Sequence, residues 1–373
     1  MKKHTKHTKL TLRKSDNFAF QEIAILGVKC SIIAHLSQKI AEKLQKTTKI
    51  AYFDASHNSD ESAPILDTFT FNETGCLNIQ MAHNLNKFKT RQQLSAYDLV
   101  LINGNHYQAK KQIVVLDPEK EASITKRIDQ ITDILCFVKT TKEVKIFNCL
   151  KSKFKNSEAI PVFDIDNSTA ISKIVAETIN VHLPPLNGLV LAGGKSIRMG
   201  TDKGLLAYHG QAQRDYLRGL IKNVLDKKAE VFLSVRVEQD IKDLPIITDK
   251  FIGLGPFGAI CSAFMHNPNA AYLVVATDLP FVNKEVLELL ISQRDTTKIA
   301  TAIKGKGKPF MEPLVTIWEP KAYPILLGFL AQGYSCPRKA LINSDVAIVE
   351  IDDSFIENIN TPDDFKKAQE KLL

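Results

Sequence analysis

A glycine-rich run directly after an apolar stretch constrains the fold of this chain most. Leu186–Leu191 is typical of a buried strand, and Gly193 and Gly194 follow it. A loop without side chains can approach a ligand closely, and its successive amides can point at anionic oxygens. Arg198 and Lys203 add positive charge in the same run, and an arginine can hold two phosphate oxygens together. The run predicts a strand ending in a loop for a phosphorylated ligand. It lacks the Gly-Lys-Ser/Thr ending of the ATPase phosphate loop.

The rest of the second half predicts an α/β fold. Apolar stretches alternate with segments of helical pattern, for example Arg214–Val224 and Lys284–Gln293. Such alternation indicates a mostly parallel sheet flanked by helices. The predicted strands are Leu186–Leu191, Val231–Val235, Pro245–Thr248, Tyr272–Ala276, Ile299–Ile303, Leu314–Ile317 and Ala347–Ile351.

Two carboxylates follow predicted strands. Asp249 comes directly after Pro245–Thr248, and Asp278 comes shortly after Tyr272–Ala276. Ligands of such sheets gather beyond the carboxyl ends of the strands, so one crevice is expected to collect these acids with Arg198 and Lys203. A carboxylate at Asp278 suits a magnesium ion held against triphosphate oxygens. The alternatives are that Asp278 caps a turn before Leu279-Pro280, and that Asp249 is an exposed loop acid.

Several motifs in order carry a resemblance to a known family. Leu191–Lys203 matches the pattern L-A-G-G-x-S-x-R-M-G-x-D-K throughout, and four further motifs follow it. Through them, residues 185–373 closely resemble the molybdenum cofactor guanylyltransferases, which are nucleotidyltransferases. The resemblance implies a Rossmann-like nucleotidyltransferase fold for this half. The further motifs are Gly253–Ile260, Ala276–Phe281, Glu312–Leu314 and Asn358–Pro362.

The resemblance also implies residue roles. Arg198, Lys203 and Asp278 would supply the catalytic charge, with Mg²⁺ on Asp278 and Mn²⁺ as the alternative ion. Asn360 would face the site, while Thr361 caps the last helix and Pro362 begins it. The implied nucleotide-binding positions are Leu191, Ala192, Gly193, Gly194, Lys203, Ser234, Asp249 and Asp278.

The chain departs from the family pattern at several positions. Ser234 stands where the family usually has an asparagine, and it can keep one hydrogen bond but not two-sided amide recognition. Gly193 stands where cytidine-using relatives carry alanine, which favours guanine. The loop Gly253–Gly258 is expected to form a wall beside the base or acceptor. The family's basic pair is displaced to Arg338-Lys339, which leaves the acceptor contacts open.

The implied reaction transfers GMP from GTP to molybdopterin carrying its metal, releases pyrophosphate and forms molybdopterin guanine dinucleotide. The acceptor phosphate is already anionic, so no protein nucleophile is needed and catalysis depends on positioning and charge neutralisation. One alternative is another nucleotidyltransferase, which uses CTP with molybdopterin or a sugar phosphate as acceptor. The other is a non-enzymatic protein that binds or carries the cofactor. Molybdoenzymes and other proteins of cofactor biosynthesis are possible partners.

The first half shows a similar alternation but a degenerate ligand loop. The strand Glu22–Leu26 ends at Gly27, where a phosphate loop would begin. Counted from Gly27, Ile33 stands at the lysine position and Ala34 at the Ser/Thr position. Lys29 comes too early to replace the lysine. Further strands are predicted at Lys49–Phe53, Tyr97–Ile102, Gln112–Leu116, Ile134–Val138 and Ile160–Phe163, with helices over 31–45 and 168–182, the latter capped by Ser168 or Thr169.

Tyr97–Gly104 and Ile160–Asp166 resemble, more weakly, segments of the GTP-binding partner protein of the guanylyltransferase. The family's glutamate in the first segment is Asn103 here. Residues 18–183 are therefore predicted to be a degenerate version of that P-loop-type fold, and an unrelated α/β domain is the alternative.

Composition limits the remaining possibilities. The sequence predicts a basic tail (1–17), a degenerate partner-like domain (18–183) and a nucleotidyltransferase domain (184–373). Two prolines in Leu183–Gly188 mark the linker. The net charge of +8 suits a polyanionic ligand, but its dispersal argues against nucleic acid. No apolar segment is long enough for a membrane span. Six cysteines without a C-x-x-C pair and no secretion signal predict free thiols in the cytoplasm.

Overall fold

The structure is a computed structural model that describes residues 10–14, 16–56, 65–82, 86–180, 183–193, 202–236 and 244–372. The chain divides into two compact units, residues 15–182 and residues 1–14 with 183–373. Of the predicted basic tail, residues 10–14 belong to the second unit, where the Lys14 backbone N–H donates to Asn269 Oδ1 at 2.6 Å. Residues 1–9 and 15 lie outside the described part.

The first unit contains a parallel sheet, in the order β2-β5-β1-β6-β7-β8 within its described residues. The strands β1, β5 and β6 are apolar runs buried nearly throughout, as expected for parallel strands covered on both faces. The strands are β1 (Glu22–Leu26), β2 (Ile50–Phe53), β3 (Thr68–Phe71), β4 (Leu77–Gln80), β5 (Leu99–Asn103), β6 (Lys111–Leu116), β7 (Asp133–Lys139) and β8 (Val162–Asp164). The helices are α1 (Cys30–Leu44), α2 (Lys87–Leu94), α3 (Glu121–Lys126), α4 (Asn148–Lys153) and α5 (Ser168–Asn180).

Two features of this unit differ from expectation. The helix predicted from residue 168 is capped by Asn167, whose Oδ1 accepts from the Ala170 N–H at 3.1 Å, and not by Ser168 or Thr169. An asparagine amide oxygen serves this purpose as well as a hydroxyl does. The antiparallel pair β3 and β4 was not predicted, because both strands are short and exposed.

The second unit contains a mixed sheet in the order β11-β10-β9-β12-β14-β13-β15 within its described residues. β14 runs antiparallel to both of its neighbours, and the other adjacent pairs are parallel. The strands are β9 (Leu186–Leu191), β10 (Val231–Val235), β11 (Ile246–Thr248), β12 (Ala271–Ala276), β13 (Ala300–Gly305), β14 (Glu312–Trp318) and β15 (Val346–Ile351). The helices are α6 (Gln213–Val224), α7 (Gly255–His266), α8 (Lys284–Ser292), α9 (Ala322–Ala331), α10 (Pro337–Ile342) and α11 (Pro362–Leu372). The predicted α/β class, with sheets flanked by helices, is confirmed for both units.

The expected glycine loop at residues 253–258 is only partly a loop. α7 begins at Gly255, so Gly255–Gly258 forms its first turn. Pro256 is compatible with this position because proline's fixed φ suits a helix start. Gly258 allows a close approach, since a Cβ there would collide with the Phe251 carbonyl oxygen. Within the described residues, no helix has both the length and the apolar character needed to cross a membrane.

Candidate functional site

The carboxyl ends of three adjacent strands in the second unit lie side by side. Leu191 at the end of β9 is in register with Ala276 of β12 and Ser234 of β10. Hydrogen bonds hold the end of β9 to the ends of β10 and β12. The Ala192 N–H donates to the Ser234 carbonyl at 3.1 Å, and the Thr277 hydroxyl donates to the Leu191 carbonyl at 3.2 Å. This register fixes where residues 192–193 and Asp278 leave the sheet, at the edge where ligands of such sheets bind.

Lys203, Asp278 and Asn360 meet at this edge, and we call them the strand-end cluster. Lys203 Nζ donates to Asn360 Oδ1 and to the Ile359 carbonyl, both at 2.8 Å. It also lies 3.9 Å from Asp278 Oδ2. The Ile359 N–H donates to the Asp278 carbonyl at 2.9 Å, which fastens the 359–360 segment to the end of β12. The cluster thus joins residues that lie far apart in sequence. Asn360, which lies just before α11, contributes its side-chain oxygen.

Asp278 keeps one buried oxygen without a hydrogen-bond partner among the described residues, Oδ1. Burial raises the pKa of Asp278, and the nearby Lys203 ammonium only partly opposes that effect. A buried carboxylate oxygen with no donor is unfavourable unless another group binds it. A hard divalent cation is such a group, because Mg²⁺ binds through one or two carboxylates while it retains water and phosphate ligands.

Ser234 and Asp249 form a second polar contact at the same edge. The Ser234 hydroxyl donates to Asp249 Oδ1 at 3.1 Å. Burial raises the pKa of Asp249, and the Ser234 hydrogen bond partly offsets the rise. Asp249 directly follows β11 and is partly buried.

The described part of the glycine loop ends at Gly193. A Cβ added there would lie 3.4 Å from both the Cγ and the backbone N of Arg236. The missing methyl group at Gly193 therefore leaves space next to Arg236. An alanine there would approach Arg236 to about the shortest ordinary van der Waals distance. The predicted site residues Gly194 and Arg198 lie outside the described residues.

A cavity of about 410 Å³ opens near the start of β14. Glu312 is buried there, accepts from the Leu314 N–H at 3.2 Å and lies 3.4 Å from Arg338 Nη2. Burial raises the pKa of Glu312, which the Leu314 hydrogen bond and the Arg338 charge partly offset. The sequence motifs contained Glu312 and Asn358, but Lys308 was missed because no motif surrounds it. The lining residues are Lys308, Pro309, Phe310, Glu312, Arg338, Ile356, Glu357 and Asn358.

The loop after β1 in the first unit does not present the groups that a phosphate loop requires. Ile33, at the expected lysine position, is fully buried in the core. Lys29 is exposed and lies 3.7 Å from Glu119. Asn103 is fully buried, and its amide donates to Asp54 Oδ2 at 3.0 Å. The structure therefore shows no lysine–hydroxyl pair in this described loop.

A known protein family resembles the part of the chain that contains Lys203 and Asp278 of the strand-end cluster. Residues 188–346 match the model of the MobA-like NTP transferase domain. This stretch of the second unit is therefore similar to that domain family. The match begins in β9 and ends at the start of β15, so it includes Lys203, Asp278 and the Glu312 end of the cavity.

Two curated relatives and one solved structure show the extent of the similarity. A molybdenum cofactor biosynthesis bifunctional protein from Synechocystis is 32% identical over 56% of this chain and 63% of its own length. A probable molybdenum cofactor guanylyltransferase from Carboxydothermus hydrogenoformans is 28% identical over 48% of this chain and 92% of its own length. The crystal structure of molybdopterin-guanine dinucleotide biosynthesis protein A from Archaeoglobus fulgidus is 24% identical, covers 50% of this chain and 97% of that chain, and has a TM-score of 0.42. The chain thus spans less than two thirds of the bifunctional relative.

Proposed function

We propose that the MobA-like domain transfers GMP from GTP to the terminal phosphate of molybdopterin-type molybdenum cofactor and releases pyrophosphate. The observation that carries the proposal is the strand-end cluster, in which Lys203 and a partly unsatisfied Asp278 meet beyond the glycine-rich loop. The names of the relatives agree with this activity. Free cysteines at all six positions are in keeping with a cytoplasmic location.

The nucleotide would lie along the edge formed by β9, β10 and β12. The backbone at Gly193 can approach a phosphorylated ligand without side-chain obstruction. Ser234 and Asp249 supply polar groups at the neighbouring strand ends, and Arg198 is expected to add positive charge. Guanine remains the expected base.

Asp278 would hold Mg²⁺, since its buried Oδ1 has no hydrogen-bond partner among the described residues. When bound, the ion would neutralise charge on the transferred phosphate and on the leaving pyrophosphate. Lys203 positions Asp278 and the 359–360 segment, and its ammonium lies where it can also attract phosphate oxygens. The acceptor phosphate then needs only to be aligned with the α-phosphorus for direct displacement.

The acceptor would occupy the cavity beside Glu312. Lys308 and Arg338 line it and can attract a phosphate, while Asn358 and Glu312 offer polar contacts to a heterocycle. The cavity and the cluster are linked through consecutive residues, because Asn358 lines the former and Asn360 belongs to the latter. The displaced basic residue Arg338 thus remains available for the acceptor.

A transfer assay with purified full-length protein, GTP, Mg²⁺ and molybdenum-loaded molybdopterin tests this proposal. We expect stoichiometric pyrophosphate and a guanine dinucleotide product detected by mass spectrometry.

Arg338→Ala should raise the acceptor KM about tenfold or more with little change in the GTP KM, because losing one charged contact costs about 1.5–3 kcal/mol. Lys304→Ala is the matched control, since its ammonium pairs with exposed Glu350 and does not line the cavity. A protein that binds both substrates without forming pyrophosphate would contradict the proposal.

A further inference from the structure

The first unit carries a cysteine, a histidine and an aspartate at the carboxyl edge of its sheet. Cys30 is the first residue of α1, Asp54 directly follows β2, and His106 follows β5. Because β5 lies between β2 and β1, these positions are neighbours. Cys30 Sγ is 3.3 Å from His106 Nε2, and the same nitrogen is 3.8 Å from Asp54 Oδ1. We call these three residues the thiol cluster.

Asp54 is held as a carboxylate. Its Oδ2 accepts from the Tyr52 hydroxyl at 2.7 Å and from Asn103 Nδ2 at 3.0 Å, and its Oδ1 accepts from the Ala55 N–H at 2.7 Å. Burial acts to raise the pKa of Asp54, but these hydrogen bonds and the nearby His106 lower it overall. Asp54 thus places a fixed negative charge 3.8 Å from His106 Nε2.

Polar groups surround the sulfur of Cys30. The N-terminus of the 15-residue helix α1 carries partial positive charge, and Asn105 Nδ2 lies 3.7 Å from the sulfur. His106 Nε2, at 3.3 Å, is within reach of the thiol proton, as a general base beside a nucleophile must be. The cysteine is partly exposed, and His106 has 20% of its side-chain surface exposed, so a small molecule can reach the pair.

Charge near the thiol cluster indicates the class of its reactant. Lys29 precedes Cys30 and is largely exposed although it pairs with Glu119. Arg127 Nη1 lies 3.4 Å from Asn105 Oδ1, on the same amide that approaches the sulfur. Lys29 and Arg127 place positive charge near the sulfur, and this charge suits an anionic molecule.

We propose that Cys30 is a nucleophilic thiol that exchanges with anionic low-molecular-weight disulfides and so forms a mixed disulfide on the first unit. The Cys30 proton passes to His106 Nε2, and the thiolate attacks one sulfur of the disulfide. A new S–S bond forms as the old one breaks. The departing thiolate takes up the proton from His106, so Cys30 is oxidised to the disulfide level as one sulfur of the reactant is reduced. No further oxidant is needed.

Glutathione disulfide added to the full-length protein at pH 7 tests the proposal, with acid quenching and peptide mass mapping over time. Cys76 and Cys336 are internal controls because both are exposed. We expect Cys30 to form its adduct about tenfold faster than either control, since a stabilised thiolate raises the reactive fraction of a thiol by about this factor at neutral pH. Equal or slower modification of Cys30 overturns the proposal, and this comparison needs no variant.

Two further arms separate the parts of the mechanism. His106→Gln should reduce the Cys30 rate to that of Cys76, and Asp54→Asn should move the pH–rate profile of Cys30 alkylation by neutral iodoacetamide to higher pH.

With cationic cystamine in place of glutathione disulfide, the advantage of Cys30 over Cys76 should fall severalfold. Folded His106→Gln protein that reacts at the original rate, or a preference of Cys30 for cystamine, would contradict the proposed roles.

Discussion

At the scale of single residues, Asp278 is subject to opposing requirements of stability and function. Its carboxyl group is buried with one oxygen unsatisfied among the described residues, and burial raises its pKa. A raised carboxyl pKa means that the folded state favours the protonated form, so stability from this group is lost as pH rises through the folded pKa. Ionising this carboxyl group in the folded protein therefore disfavours folding, and a divalent ion bound to it would offset that cost.

We therefore expect Asp278→Asn to reduce transfer about 100-fold or more without lowering the Tm at pH 7. The amide has nearly the same shape but carries no charge, so it removes the desolvation penalty together with the ion ligand. The Tm difference between variant and wild type should shrink as pH falls toward the ordinary carboxyl value of 3.8. Steady-state rates and thermal unfolding at both pH values check this. Near-normal magnesium-dependent turnover in the variant would remove Asp278 from the proposed site.

At the scale of elements, close packing against β9 fixes the edge that carries the glycine-rich loop. Gly188 lies in β9, and a Cβ there would come within 2.5 Å of Ile221 Cγ2 on α6 and 2.9 Å of Val231 Cγ1 on β10. Gly219, in contrast, lies on α6 with nothing within 4 Å of an added Cβ. The two glycines therefore give a matched pair for testing this packing.

We expect Gly188→Ala to lower the free energy of unfolding by about 1–3 kcal/mol, because the added methyl group has no space. Gly219→Ala should be neutral or stabilise the protein by up to about 1 kcal/mol, since alanine favours a helix. Urea unfolding of both variants measures the difference. Similar stability of the two would show that β9 and α6 are not packed as described.

The strands were the most predictable elements. Leu186–Leu191 and Val231–Val235 have the bounds predicted from their apolar runs. The start of α7 was missed because Gly-Pro-Phe-Gly is typical of a turn, whereas the structure begins the helix at Gly255. Asp278 could be proposed from its place after a strand and from the family motif. Its contact with Lys203 and the cavity at Lys308 depend on residues distant in sequence, so no local pattern indicates them.

At the scale of the whole molecule, the second unit contains a charged strand-end site, and the first unit has no lysine–hydroxyl pair in the described loop after β1. We expect the full chain to bind one GTP. Lys203→Ala should remove most of this binding, because it removes a cation and releases the 359–360 segment. Lys29→Ala should change it little, since Ile33 is buried where a phosphate-binding lysine would stand. Titration calorimetry measures both. Two GTP molecules per wild-type chain would show that the first unit also binds nucleotide.

The most direct measurement compares GTP, CTP, UTP and ATP as donors to molybdenum-loaded molybdopterin on the full-length protein, with pyrophosphate release and product mass as readouts. We expect magnesium-dependent release with GTP at a kcat/KM at least about tenfold above that of every other nucleotide, and a product with the mass of the guanine dinucleotide. A preference for CTP, or turnover only with a sugar phosphate as acceptor, would contradict guanylyl transfer to molybdopterin and leave the strand-end cluster serving a different nucleotidyl transfer.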